Sequence, residues 1–155
     1  MNNKGMNKMQ LNKQFKQFGY KMTTGRETTI DVLSKTDEHL SAEDIYIKVH
    51  SINPAIGLTS VYRTLELLVN MGVASKFDFG DGRARYELAE GPKGAKHHHH
   101  LVCTGCGRIV DYSDFVAEEK ALFKKIEGEL SRKYNFRITS HLVQFYGLCN
   151  KCESR

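Results

Sequence analysis

The 155-residue chain is 40% hydrophobic and 26% charged, with four cysteines and a formal net charge of +5. No apolar run approaches the ~20 residues of a membrane span, and residues 1–21 lack the apolar core of a secretory signal, so a cytoplasmic protein with no membrane partner and reduced cysteines is expected. Residues 1–36 carry seven Lys/Arg against Glu27 and Asp31, a basic third that suits a polyanion such as DNA as readily as a solvated tail.

After a polar start over 1–10, Leu11–Phe18 reads as a short helix with Leu11, Phe15 and Phe18 on one side. A second helix from about Arg26 to Lys35 buries Ile30, Val32 and Leu33. Ser41-Ala-Glu-Asp44 has the form of a capping box, opening a third helix through Ile45 and Val49 that Asn53-Pro54 stops. From about Thr59 to Met71, Val61, Leu65 and Leu68 form an apolar stripe, while Thr59, Tyr62, Arg63, Glu66 and Asn70 face outward. Ala74–Phe79 and Arg83–Leu88 alternate around Gly80-Asp81-Gly82, a hairpin signal. Helices followed by a hairpin predict a winged helix-turn-helix, whose last helix enters the major groove. In that groove Arg63 can fork onto guanine, and Tyr62 can meet a phosphate or a thymine methyl. An ordinary α+β domain with an exposed Tyr-Arg pair is the alternative.

Gly91–Lys96 reads as a hinge, dividing a DNA-binding domain (1–90) from a second domain (97–155). There, strands over His100–Cys103 and Ile109–Tyr112 flank the Cys103–Gly107 knuckle. A helix from Asp114 to about Tyr134 carries Leu122, Ile126, Leu130 and Tyr134 at four-residue spacing, and Phe136–Tyr146 reads as a strand. So small a domain needs help to be stable, and zinc and dimerisation both supply it.

All four cysteines fall in two CxxC pairs, Cys103/Cys106 and Cys149/Cys152, with 42 residues between the pairs. Two such pairs are a zinc-site spacing, because a tight turn brings two thiolates to one edge of a tetrahedron. Two disulfides or unrelated thiols are the alternative. His97-His98-His99-His100 on a strand cannot serve one ion, because alternate side chains point to opposite faces. His98 and His100 share one face and His97 and His99 the other, which predicts two sites rather than one; an expression tag or a polar turn are the trivial readings. Spacing alone leaves open which residues complete them. Glu118 lies on the stripe of Leu122 and Ile126, where an inward carboxylate needs a partner. Asp111 lies at a strand end, and for His39 or His141 an ordinary hydrogen-bonded role is the default.

The motifs His39-Leu-Ser-Ala-Glu-Asp-Ile-Tyr46, Gly57-Leu-Thr-Ser-Val-Tyr-Arg-Thr-Leu65, Tyr86-Glu-Leu88, His97–Gly107 and His141 before Cys149 resemble, in order, those of the ferric uptake regulator family of metal-dependent transcriptional repressors. The resemblance runs from about Gly19 to Cys152. It implies an N-terminal winged-helix domain and a C-terminal α/β dimerisation domain. It further implies a structural zinc on Cys103, Cys106, Cys149 and Cys152, and a regulatory site on His39, Glu87, His98 and His100, with Asp111 a weaker candidate. A further site would use His97, His99, Glu118 and His141. Lys21, Thr59, Ser60, Tyr62 and Arg63 would contact DNA. In this sequence His99 stands where relatives often have Asp, and the segment between Glu118 and His141 is longer than in many of them.

The function these readings imply is a repressor that binds a palindromic double-stranded operator as a homodimer, or as a tetramer, when its regulatory site is loaded. The regulatory ligands flank the hinge, so one cation would clip the two domains together. Fe²⁺ is the expected regulatory ion, since Glu87 stands where peroxide sensors tend to have Asp and no cysteine is left for a zinc-sensing site; Mn²⁺, Co²⁺ or Zn²⁺ can substitute. The alternatives are a peroxide- or zinc-sensing relative and a zinc-ribbon metal-binding protein without DNA activity. No enzyme is expected, because no nucleophile with a neighbouring base, phosphate loop or nucleotide fingerprint is present.

Overall fold

The computed structural model describes residues 8–36, 38–89, 99–139 and 141–154. The chain divides into two compact units, Met1–Ala95 and Lys96–Arg155; the hinge assigned to 91–96 lies outside the described residues. Mixed helix and strand make the fold α+β, and among the described residues no helix is long and apolar enough to cross a membrane.

In the first unit, α1 (Lys8–Gln17) ends before Phe18, which is exposed rather than buried, while Leu11 and Phe15 are buried. Thr23 caps α2 (Thr24–Ser34), its hydroxyl accepting from the Arg26 N–H. Strand β1 (Leu40–Ser41) runs into α3 (Ala42–Ile52), where Ser41 and Asp44 form the expected capping box. Helix α4 (Leu58–Asn70) buries Val61, Leu65 and Leu68. It ends in a Schellman turn: Gly72 adopts φ +67°, its N–H bonding Val69 and that of Val73 bonding Leu68. Strands β2 (Ala74–Asp78) and β3 (Ala84–Leu88) form the hairpin, and β1 adds to the free edge of β3. One hydrophobic cluster joins all four helices to this sheet, with Phe15, Ile45, Val49, Val61, Leu65 and Leu68 wholly buried. Helices followed by a wing make this a winged helix-turn-helix.

The second unit is a sheet of order β5-β4-β6, from β4 (His99–Cys103), β5 (Ile109–Tyr112) and β6 (Gln144–Gly147), with α5 (Val116–Tyr134) as the crossover and α6 (Asn150–Glu153) at the end. The strand expected over 136–146 is much shorter. Strand β6 pairs in parallel with β4 from His100↔Gln144 to Cys103↔Gly147, so among the described residues the pairing begins only at Gln144. Helix α5 also turns differently from expectation. Val116, Glu119, Phe123 and Glu127 are its less exposed positions, whereas Leu122, Ile126, Leu130 and Tyr134 are 39–63% exposed.

Candidate metal centres and nucleic-acid interface

The two CxxC turns are brought together by β4 and β6. Register sets Cys103 against Gly147, and the Thr104 N–H donates to the Gly147 carbonyl, so the strand leading to Cys149 lies beside the first knuckle. Gly107, at φ +71°, closes that knuckle. All four Sγ atoms lie within 4.8 Å of one another and none is in a disulfide. The Cys106–Cys149 separation of 3.8 Å matches the edge of a tetrahedron with ~2.3 Å metal–sulfur bonds, about 3.8 Å. The Cys149 N–H points at Cys103 Sγ from 3.3 Å. That bond, helped by the Cys106 and Gly105 backbone, holds the Cys103 thiol down to about 6. Cys152 is pushed up to about 12 by sharing its proton with Cys106, Cys149 and Cys103. Four thiols converging on one point fit one divalent, thiophilic cation that would take the place of their protons, and the donor set suits zinc.

In the first unit, the β1–β3 register pairs Leu40 with Tyr86, so His39 and Glu87, one residue beyond that pair, face each other. His39 Nε2 is 3.3 Å from Glu87 Oε2, and both side chains are largely buried. The rings of Phe77 and Phe79 meet His39 edge-on at 5.7 and 5.5 Å, fixing its plane. A buried imidazole beside a carboxylate offers one nitrogen and one oxygen to a borderline cation.

In the second unit, adjacent residues of β4 point to opposite faces. His100 pairs across the sheet with Asp111, its Nε2 3.8 Å from Asp111 Oδ1. On the other face, buried His99 lies under α5 with Nε2 2.8 Å from Glu119 Oε2. The contact is close but off the line of a hydrogen bond, leaving that buried oxygen without one. The Tyr112 hydroxyl donates to the other oxygen of Glu119 at 3.0 Å. Burial first, and then this bond, pushes the Tyr112 phenol up to about 12. A carboxylate oxygen facing an imidazole nitrogen with no proton aligned between them fits a cation shared by the two.

Glu118 does not enter this site. One residue, or about 100° of helix, turns it to solvent while Glu119 faces the sheet. His141 pairs instead with Glu127, at 2.6 Å from Nδ1 to Oε1, and stacks on Phe123 with centroids 4.6 Å apart. His97 and His98 lie outside the described residues. Among the described residues of the second unit, only the four thiols offer three or more ligand atoms within 4.8 Å of one another.

On α4, Thr59, Ser60, Tyr62 and Arg63 are all exposed in consecutive turns, and Lys21 is exposed before α2. The Lys21 carbonyl accepts a bond from Arg26 Nη1 at 2.5 Å, and the Arg26 guanidinium lies over the Tyr20 ring. In the wing, Asp81 is held by Arg85 through 2.9 and 2.5 Å bonds, which keep its carboxyl down to about 2.

A family model described as the ferric uptake regulator family matches residues 17–146. The chain belongs to that family. A ferric uptake regulation protein of Bacillus subtilis (strain 168) is 42% identical over 147 residues, covering 94% of this chain and 93% of its own length. The Helicobacter pylori ferric uptake regulator, whose structure is described as revealing three functional metal binding sites, aligns with TM-score 0.71 at 27% identity, covering 94% of this chain and 90% of that one. The Pseudomonas aeruginosa ferric uptake regulator, with manganese, aligns with TM-score 0.69 at 26% identity over 90% and 97% of the two chains.

As a ferric uptake regulator family member the chain is a metal-responsive transcription regulator rather than an enzyme. Two carboxylates that meet histidines here, Glu119 and Glu127, escaped the sequence reading. The available signal was their three- and eleven-residue distance from Val116 along one helical face, masked by the more conspicuous apolar stripe at Leu122, Ile126 and Leu130.

Proposed function

We propose that this protein is a repressor that binds a palindromic double-stranded DNA operator as a homodimer when loaded with a divalent metal, Fe²⁺ being the physiological ion. The observation that carries the reading is the pairing of an exposed helix face of Thr59, Ser60, Tyr62 and Arg63 with separate nitrogen–oxygen and thiolate ligand sets in one chain. Cys103, Cys106, Cys149 and Cys152 would hold zinc, which supplies the second unit with a cross-link that its small apolar core does not. His39 and Glu87, with His98 and His100, would hold the regulatory ion, and Asp111 is a further oxygen beside His100. These ligands lie on both sides of residues 91–96 in sequence, so occupancy would bias how the two units are arranged. His99 and Glu119 would serve the additional site in place of Glu118, with His97 and His141 as its other candidates.

This chain's own residues supply the reading of DNA. Arg63 is suited to a guanine edge, Tyr62 to a base or phosphate, Thr59 and Ser60 to the backbone, and Lys21 to the minor groove. Iron over other ions rests on the nitrogen–oxygen character of His39 and Glu87 and on the commitment of all four cysteines to one cluster. A hard-to-borderline donor set accepts Fe²⁺, while Mn²⁺, Co²⁺ and Zn²⁺ remain competent substitutes in vitro.

The test is anaerobic fluorescence anisotropy on a labelled palindromic A·T-rich duplex at fixed moderate salt, with chelator-treated protein that keeps its zinc. Binding that appears only with Fe²⁺ and vanishes on a scrambled duplex is the expected result. Equal binding without the ion would remove the metal switch, and no binding under any condition would remove the repressor.

A further inference from the structure

The first helix of the helix-turn-helix carries a carboxylate where a DNA-binding surface should avoid one. Glu43 is the second residue of α3, exposed, and faces the outward side of α4. A carboxylate near phosphates is repelled rather than bound, so its presence there needs a compensating use. The structure shows a contact that can supply one. Tyr62 Oη, 19 residues away and 37% exposed, donates to Glu43 Oε1 at 2.5 Å. The two groups line a 310 Å³ cleft between the start of α3, α4 and the wing, which also includes Arg83 and Tyr86.

The contact bears on what Tyr62 can read. A phenol has one proton to donate. With that proton committed to Glu43, the hydroxyl has none for a phosphate oxygen or a base acceptor, and the ring is what remains for the groove. In the major groove the apolar feature that distinguishes one base is the thymine C5 methyl. A charge-assisted O–H···O⁻ bond also restricts the ring to one orientation, lowering the entropy lost when it docks.

We infer that Glu43 is a positioning residue for base readout: it locks Tyr62 so that its ring reads a thymine methyl in each half-site. This inference rests on the proposed DNA-binding function and deepens it.

The test uses the full-length, metal-loaded protein and operators in which thymines of the half-site are replaced one at a time by uracil, which removes only the methyl. At one position the wild type should lose about fourfold per half-site, the worth of one buried methyl group. Tyr62→Phe keeps the ring and Glu43→Ala keeps the tyrosine, yet each should abolish that thymine–uracil ratio, and the double variant should do no more than either alone. Glu43→Gln, which retains an acceptor, should preserve the ratio. Zinc content and thermal midpoints are measured alongside, and because both side chains are exposed they should match the wild type. A ratio unchanged in Glu43→Ala overturns the inference, as does a wild type that shows no thymine–uracil difference at any position. A change in Glu43→Ala that raises affinity equally for both duplexes and alters only the salt slope would mark Glu43 as a mere charge, and also overturns it. A wild type that binds no duplex at all instead removes the function on which the inference stands.

Discussion

At the scale of single residues, the tightest constraint is Gly105, between the first two cysteines. A Cβ there would lie 2.9 Å from Cys152 Cβ, 3.0 Å from its Sγ and 3.2 Å from Leu148 Cδ2. Cys152 sits on the short α6, whose backbone is tied to Cys149 by the Cys152 and Glu153 N–H groups, so it has little room to give. Gly105→Ala should push the two knuckles apart at an overpacking cost of about 1–3 kcal/mol. Competition against a chromophoric zinc indicator should show roughly ten- to a hundredfold weaker zinc retention; wild-type retention would mean that the knuckles yield. Tyr112 gives a pH signature of a different kind. Its folded pKa, about 12, is raised above the ordinary 10, so the neutral phenol is the form the fold favours. That contribution is complete below pH 10 and is lost as pH rises from 10 towards 12. In chelator-treated protein, ultraviolet titration should therefore show one of the seven tyrosines ionising last. Tyr112→Phe should remove that final step, and a step that persists would place it on another tyrosine.

At the scale of elements, helix α5 presents two stripes with opposite uses. Its inner face sets Glu119 against His99 and Tyr112 and Glu127 against His141, while Leu122, Ile126, Leu130 and Tyr134 are left open. An open aliphatic stripe of this length on a small unit suits a second copy of the chain. Ile126→Glu removes roughly 1.5–3 kcal/mol of burial per copy and adds a charge. It should turn a dimer into a monomer by light scattering and weaken operator binding at least tenfold, leaving zinc content unchanged; an unchanged mass would put the interface elsewhere. The same helix shows where sequence reading stops. Ser41 and Asp44 announce α3 because a capping box is a local device, and Gly80-Asp81-Gly82 announces the wing for the same reason. The opposite faces of His99 and His100 follow from strand alternation alone. Which glutamate of Glu118 and Glu119 turns inward depends on the rotation of α5 about its axis, fixed by contacts with His99 and Tyr112 on the strands before the helix. The bond from Tyr62 to Glu43 is likewise set by how two helices pack, and neither residue's neighbours encode it.

At the scale of the whole molecule, the proposed switch depends on ligands drawn from both sides of residues 91–96. Within the first unit, the β1–β3 register alone brings His39 and Glu87 together, so this half of the set is preorganised by the winged-helix fold. Glu87 is the informative position. It sits in the middle of the wing's sheet, paired with Ser75, away from the exposed face of α4. Glu87→Ala should therefore leave the DNA-reading surface and its phosphate contacts intact. It should remove one anionic ligand from the regulatory set and leave the thiolate cluster untouched. Metal titrations at fixed salt should need at least tenfold more Fe²⁺ or Mn²⁺ to reach half-maximal operator binding, because a charged oxygen ligand is missing. The slope of log affinity against log salt at saturating metal should match the wild type, since that slope counts phosphates neutralised rather than metal bound. Glu87→Gln, which keeps an oxygen without the charge, should fall between the two. If Glu87→Ala kept the wild-type metal requirement, the regulatory ion would not use this residue; if it lowered the salt slope, the wing itself would have moved and the loss would be one of DNA contact.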